Sequence, residues 1–158
     1  MKHTISVTVE NRPGVLSRVV GLFSGRGFNI ESLSVGETID PEISRITIVT
    51  RGDDRIIEQV TKQLRKLIDV IKVTDLTDLN FVDREMILIK ISATDKTKAE
   101  VLRINDIFRG KIVEVSQNTY TFESTGDGGK IQAFIKMVKP FGVKEIARTG
   151  KVAVSREM

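Results

Sequence analysis

The order of apolar patterns along the chain constrains its fold more than any other feature, because the same order occurs twice. The 158-residue sequence opens with strict alternation, which predicts a strand through Ile5, Val7 and Val9. A helical period follows, and then two strands, a second helix and a fourth strand that ends near Leu76. The residues after position 80 repeat this order, beginning with alternation from Ile87. The sequence therefore predicts two tandem βαββαβ units.

Two such units make an α+β protein in which each unit has the ferredoxin-like arrangement, a four-stranded antiparallel sheet with two helices on one face. Polar residues cluster between Asp78 and Asp83, which predicts a first domain over residues 1–78 and a second over residues 79–158. No Pro- or Gly-rich linker separates them, so we expect close coupling. One sheet face in each unit is left uncovered, and we expect a partner, such as a second copy of the chain, to cover or extend it.

The helix boundaries of the first unit follow from local signals. Pro13 suits the first helical position, where its missing N–H is no loss, and Gly25 and Gly27 end that helix. Asp-Pro at positions 40–41 predicts a turn, and Asp53 is expected to cap the second helix. The second helix is expected to bury one apolar stripe, formed by Ile56, Ile57, Val60, Leu64 and Leu67.

Similar signals mark the second unit. Asp95 is expected to cap a third helix that Gly110 stops. Its apolar residues are Leu102, Ile107 and Phe108. The glycine-rich segment 126–129 predicts a turn before a fourth helix that Pro140 ends, and residues 143–154 predict the last strand.

Composition excludes several kinds of site. The chain has no Cys, which excludes disulfides, thiolate metal sites and a Cys nucleophile. His3 is the only His, and we expect it to be solvated or packed on a strand, not catalytic. No apolar run approaches the ~18 residues that span a membrane, and the start of the chain lacks a signal-peptide pattern, so we expect a cytoplasmic protein without membrane contact. The Asp53-Asp54 pair is interpreted as a helix cap.

The excess of positive charge lies in the second half. Residues 1–80 carry 11 basic and 11 acidic side chains, whereas residues 81–158 carry 14 and 10. A solvated surface and an interface for an acidic partner both fit this excess. An RNA-binding module shares the βαββαβ order, but such modules stack bases on exposed aromatic residues, and only 5% of this chain is aromatic. We therefore expect no nucleic acid partner.

The segment from Asn11 to Arg18 is the best candidate for a binding site. It joins the first strand to the first helix, where unpaired N–H groups and the helix dipole favour an anion. Gly14 leaves the backbone open to a ligand, and the Asn11 amide offers a donor and an acceptor. An α-amino acid could place its carboxylate on the N–H groups around Gly14 to Leu16 and its ammonium group on a side-chain carbonyl. A turn and helix cap without a ligand fits the same residues.

Asn29 is a second candidate, at the start of the second strand, where it could equally serve only as a turn residue.

The pattern Asn11-x-x-Gly14-x-Leu16-x-Arg18 resembles the ligand signature of ACT domains, which are small amino-acid-sensing modules of ferredoxin-like fold. The continuation from Gly21 to Leu33 resembles the small subunit of acetohydroxyacid synthase, also called acetolactate synthase. Residues 107–113 and 140–150 are also similar to that family, so the resemblance extends through both halves.

This resemblance implies a regulatory subunit without catalytic residues or cofactors of its own. Its partner would be a catalytic large subunit that uses thiamine diphosphate, FAD and magnesium, and the small subunit would raise its activity and confer feedback inhibition, usually by valine. The resemblance implies a homodimer or larger oligomer formed through ACT domains. The ligand would lie between Asn11, Gly14, Val15 and Leu16 of one chain and Asn29 and Ile30 of the other. The second domain would help to contact the large subunit. A free-standing amino-acid sensor with another target is the alternative.

Overall fold

The computed structural model describes residues 1–156 and contains the predicted order of elements twice. The first six are β1 (Lys2–Glu10), α1 (Val15–Ser24), β2 (Ile30–Glu37), β3 (Ile43–Arg51), α2 (Asp54–Arg65) and β4 (Val70–Asp75). The next six are β5 (Phe81–Ser92), α3 (Lys98–Ile107), β6 (Lys111–Val115), β7 (Thr119–Gly126), α4 (Gly128–Val138) and β8 (Val143–Arg148). A short 3-10 turn, Lys139–Phe141, follows α4 at Pro140, and a last strand, β9 (Val152–Ser155), follows β8.

Both sheets have the predicted antiparallel arrangement. The first sheet has the order β2-β3-β1-β4, and the second has β6-β7-β5-β8 with β9 beside β5. In the first sheet Ile5 lies opposite Ile48, and in the second Ile89 lies opposite Phe122. The alternate residues of each central strand therefore meet on one face and build the core with the helices. The predicted α+β fold class is confirmed.

The core of the first unit contains most of the apolar residues that the sequence periods predict, although Leu67 lies beyond the end of α2 and is only partly buried. On α1 the buried residues are Val15, Val19 and Phe23, which recur every fourth position. On α2, however, Ile56 is 38% exposed, and Thr61 is buried in its place. Thr61 can occupy this apolar face because its hydroxyl donates to the Ile57 carbonyl 2.8 Å away, which satisfies its polar group.

The third helix begins later than predicted, and its buried face differs accordingly. Thr97 is its N-terminal flanking residue, and the Asp95 carboxylate instead lies 3.3 Å from the Lys98 ammonium group. The prediction that Asp95 caps α3 is therefore wrong. The buried face consists of Val101, Ile104 and Asn105, and Leu102 and Phe108 pack beside it, whereas Ile107 is 67% exposed.

The end of α3 is formed by a residue that the sequence does not signal. Arg109 has a left-handed φ of 57°, and the N–H of Gly110 donates to the Asn105 carbonyl 2.9 Å away. Gly110 is needed for space, because a β-carbon there would lie 2.1 Å from the Asn105 Oδ1 atom.

The C-terminal strand belongs to the first unit. The chain divides into a first unit of residues Met1–Val82 joined by the segment from Lys151, and a second unit of residues Asp83–Gly150. The predicted single strand over residues 143–154 is therefore wrong: it is split into β8 and β9 around Gly150, whose φ is +78°. The predicted domains, 1–78 and 79–158, thus differ from these units mainly in the placement of the last residues.

The face of the first sheet that lies away from the helices is covered, whereas the sequence predicts it to be open. Thr4, Ser6 and Thr47 on that face are at most 5% exposed, although they are polar. β9 lies against it, since the Lys151 N–H donates to the Ser32 hydroxyl 3.0 Å away and Ala153 is 4% exposed. The C-terminal segment of the chain therefore lies on this face and bonds to both β2 and β3.

Candidate functional site

The N-terminal end of α1 has the open backbone that the sequence predicts, but its geometry differs in detail. Pro13 lies before the helix, in a turn, and the helix begins at Val15, so the expectation that Pro13 is the first helical residue is wrong. Gly14 flanks the helix with a left-handed φ of 83° and no side-chain cap. Within residues 1–156 the N–H groups of Leu16 and Ser17 have no protein acceptor, so they are free to bind an anion.

Arg18, the last residue of the predicted segment, places its guanidinium group at this end of the helix. A β-carbon on Gly14 would lie 3.0 Å from the Arg18 Nη1 atom. The guanidinium group also pairs with Asp69, with Nη2 and Oδ2 2.5 Å apart. The four-residue spacing from Gly14 to Arg18 in the quoted pattern is consistent with this placement, because residues i and i+4 share a helix face.

Asn11 lies beside this helix end with only part of its amide in use. Its Nδ2 atom donates to the Pro41 carbonyl at 3.0 Å and to the Glu37 carboxylate at 3.4 Å. Within residues 1–156 its Oδ1 atom has no donor, so a carbonyl acceptor remains for an ammonium group. A hollow of about 320 Å³ adjoins Asn11; Asp40, Glu42 and other polar residues line it.

Val15 and Leu16 contribute to the site in different ways. The Val15 side chain is 3% exposed and belongs to the core, so only its backbone can contact a ligand. Leu16 is 40% exposed on the first turn of α1 and offers an apolar surface. Val35, on the helix side of β2 opposite Ile46, is 46% exposed and offers another.

The second predicted pair, Asn29 and Ile30, lies at the start of β2. The Asn29 side chain is exposed and has no hydrogen-bond partner in residues 1–156, while its carbonyl accepts from the Thr50 hydroxyl at 2.9 Å. Ile30 is half-buried against the core. The pairing of β2 with β3 is irregular between Ile30 and Ser32, which is a bulge of the kind that redirects side chains at the edge of a sheet.

A single chain does not bring the two groups of site residues together. Gly14 precedes α1 and Asn29 follows it, and a helix of ten residues is about 15 Å long. Asn11 lies at the Glu37 end of β2, and Asn29 lies at the other end. Within the described residues β2 pairs only with β3, so its outer edge is available to another strand.

Glu31, two residues after Asn29, lies in a small cluster of charged side chains. Glu31 forms ion pairs with Arg51 and, at 3.5 Å, with Lys2. The hydrogen bond from the Arg51 guanidinium group is the main cause that lowers the pKa of Glu31, and the charges of Arg51 and Lys2 act in the same direction. These interactions therefore favour the ionised form of the Glu31 carboxylate at the start of β2.

The acidic pair at the start of α2 is structural. The Asp53 carboxylate accepts from the Arg55 N–H at 2.8 Å, which confirms the predicted cap. Asp54 contacts the Nε2 atom of His3 at 2.9 Å, while Asp75 contacts its Nδ1 atom at 2.8 Å. His3 is 4% exposed, as expected for a residue packed on a strand.

The described residues, 1–156, contain neither a cluster of metal ligands nor a membrane-spanning helix. No group of three or more His, Cys, Asp or Glu side chains is placed to hold a metal ion. None of the helices in this range is long and apolar enough to cross a membrane.

Comparison with known proteins identifies both halves of the chain. Residues 5–72 match the family model of the small-subunit-like ACT domain of acetohydroxyacid synthase, and residues 84–157 match the model described as the small subunit of acetolactate synthase. The acetolactate synthase small subunit of Aquifex aeolicus is 59% identical over 99% of this chain and 82% of its own length. A probable acetolactate synthase small subunit of Archaeoglobus fulgidus is 53% identical over 99% of this chain and 98% of its own length.

A solved structure agrees over the whole length. The crystal structure of the acetolactate synthase small subunit from Thermotoga maritima shares 46% sequence identity and has a TM-score of 0.91, covering 100% of this chain and 99% of that one. The helix end at Gly14 and the start of β2 both lie inside the part that matches the ACT domain. The chain therefore belongs to the small-subunit family of acetolactate synthase, and its first unit is that family's ACT regulatory domain.

Proposed function

We propose that this chain activates the catalytic large subunit of acetohydroxyacid synthase and makes it sensitive to feedback inhibition by valine, in the cytoplasmic synthesis of branched-chain amino acids. The chain would contribute no catalytic group, and thiamine diphosphate, FAD and magnesium would all be bound by the large subunit. Membership of the small-subunit family supports the regulatory role. The open helix end at Gly14 supports the binding of an amino acid.

The separation of the two half-sites is the observation that carries this proposal. The carboxylate of valine would bind the free N–H groups of Leu16 and Ser17, near the Arg18 guanidinium group, which is paired with Asp69. Its ammonium group would bind the free Oδ1 atom of Asn11. Asn29, about the length of α1 away in the same chain, would complete the site from a second copy.

The open edge of β2 offers the route by which two copies would meet. Two β2 strands side by side would join their sheets through backbone hydrogen bonds, since each strand has an unpaired edge within the described residues. In this arrangement the α1 end of one copy would approach the start of β2 of the other. A ligand bound between the two copies would stabilise one arrangement of the chains over another. A difference in binding free energy of ~1–3 kcal/mol changes the equilibrium between the arrangements about 5- to 150-fold.

Reconstitution with the large subunit tests the proposal. Asn29→Ala should weaken inhibition by valine at least about tenfold and leave activation intact, because the side chain makes no hydrogen bond within residues 1–156 and its loss should not disturb the fold. Asn80→Ala is the matched control, because Asn80 is also exposed and hydrogen-bonds through its carbonyl. Equal valine sensitivity in both variants would refute the site.

Two further measurements on the chain alone test the rest of the proposal. The pure chain should form no acetolactate, and turnover without the large subunit would contradict a purely regulatory role. Light scattering at micromolar concentration should give at least a dimer, and a monomer would contradict the shared site.

A further inference from the structure

Lys151, which directly precedes the C-terminal strand β9, contacts β2, the strand that carries Ile30 of the proposed ligand site. The chain leaves the first unit at Val82 and returns to it at Lys151. At the point of return the Lys151 N–H donates to the Ser32 hydroxyl on β2, with a distance of 3.0 Å. Ser32 lies immediately after the bulge that separates it from Ile30 in the pairing with β3. The contact therefore lies at the irregular point of β2, next to Asn29 and Ile30.

A second contact fixes β9 against the neighbouring strand. The Arg45 Nη2 atom on β3 donates to the Ala153 carbonyl at 2.8 Å. Arg45 lies opposite Gly36 on β2 and opposite Thr8 on β1. Its Nε atom is buried and has no partner in residues 1–156, so the bond to Ala153 carries much of the compensation for burying this guanidinium group. β9 is thus held at two places on one sheet face.

The side chains on the two faces of β2 therefore have different surroundings. Leu33 and Val35 lie opposite Ile48 and Ile46 on the side of the helices, where the ligand would bind. Ser32 and Ser34 lie opposite Val49 and Thr47 on the other side. Because β2 has a single neighbouring strand in the described residues, a bulge in it can shift more easily than one in a central strand. The hydrogen bond from Lys151, the residue that directly precedes β9, restricts that shift.

We propose that Ser32 is a positioning residue: through its bond to Lys151 it fixes the bulge of β2, so that ligand binding at Asn29 and Ile30 and the docking of β9 strengthen each other. This inference rests on the proposed function, because it requires the amino acid site at the start of β2. Coupling of this kind is reciprocal by thermodynamic necessity. Ligand binding must therefore protect β9, and loss of the β9 contact must weaken ligand binding.

Calorimetric titration of the full chain with valine tests the first direction. Ser32→Ala should raise the Kd about 5- to 20-fold, which lies within the usual range of coupling. Ser32→Thr, which keeps the hydroxyl, should restore it. Ser34→Ala is the matched control, because Ser34 lies on the same face of the same strand and its side chain makes no hydrogen bond in residues 1–156. Its Kd should stay within about twofold of the wild-type value.

Hydrogen exchange of the wild-type chain tests the second direction and does not depend on a variant that folds. Saturating valine should slow exchange of the Lys151 amide, which is the donor to Ser32, at least about fivefold. A wild-type chain that binds valine with no change at Lys151, or a Ser32→Ala variant with the Kd of Ser34→Ala, would overturn this inference alone. Absence of valine binding by the wild-type chain would overturn the proposed function and this inference with it.

Discussion

A single added methyl group at Gly52 should disturb both the stability of the first unit and the start of β2. Gly52 follows β3, and a β-carbon built there would lie 1.6 Å from the Phe28 Cε1 atom and 2.6 Å from two other ring atoms. Carbon atoms in contact are separated by roughly 3.5–4.0 Å, so the ring would have to move by about 2 Å. Phe28 packs against the core and directly precedes Asn29, so its displacement should also move the proposed site.

The cost follows from overpacking. Forcing a packed ring out of its position typically costs about 1–3 kcal/mol, so Gly52→Ala should lower the free energy of unfolding by that amount in urea denaturation. Gly36→Ala is the control, because a β-carbon at Gly36 meets no atom within 4 Å and should not destabilise the fold, since Ala is favoured over Gly inside a strand by about 0.5–1 kcal/mol. The Kd for valine should rise for Gly52→Ala, because Asn29 would be misplaced.

A double-mutant cycle identifies the cause. In a Phe28→Ala background the ring is absent, so the additional effect of Gly52→Ala should fall to within about 0.5 kcal/mol. If Gly52→Ala is as stable as the wild type, or if its cost persists without the Phe28 ring, the steric reasoning is refuted.

Three other perturbations test local features of the first unit. Gly14→Ala should lower the free energy of unfolding by about 1–2 kcal/mol, because a β-carbon at φ +83° is strained, whereas Gly21→Ala, in the open interior of α1, should raise it by about 0.5–1 kcal/mol; urea denaturation measures both. Asp53→Ala removes the cap of α2 and should cost about 1 kcal/mol in urea denaturation. Because the pKa of Glu31 is lowered in the folded chain, its contribution to stability is present above the unfolded-state pKa and is lost as pH falls through the folded-state pKa. Glu31→Gln should remove that part of the acid dependence of stability.

The features that were predictable from the sequence are those that neighbouring residues determine. The alternation of Ile5, Val7 and Val9 identifies a buried face whatever the partner strand, and all three are at most 3% exposed. Asp53 caps α2 through an N–H two residues away, so the signal and its effect lie together. Local signals fail where two of them compete. Asp95 and Thr97 both suit the start of α3, and Thr97 takes that position while its hydroxyl accepts from the Thr94 N–H at 2.9 Å.

The site was only partly predictable because several of its side chains are positioned by contacts with residues far away in the sequence. The pattern from Asn11 to Arg18 correctly indicates an open helix end, since glycine at a left-handed φ is a local requirement. The partners of the Asn11 amide, Pro41 and Glu37, are about 30 residues away, and no spacing rule predicts them. The contact between Ser32 and Lys151 spans 119 positions and could be found only in the folded chain.

The return of β9 has a consequence for the order in which the protein can form. A ribosome releases residues 1–82 long before it reaches Lys151, so the nascent first unit lacks the strand that lies against its polar sheet face. The loop between Val82 and Lys151 must close before β9 can make its contacts, and this closure costs conformational entropy. Folding that depends on contacts between such distant residues is slow. We therefore expect a fragment that ends at Val82 to be a poor substitute for the ACT domain, because that domain is completed only after the second unit has been synthesised.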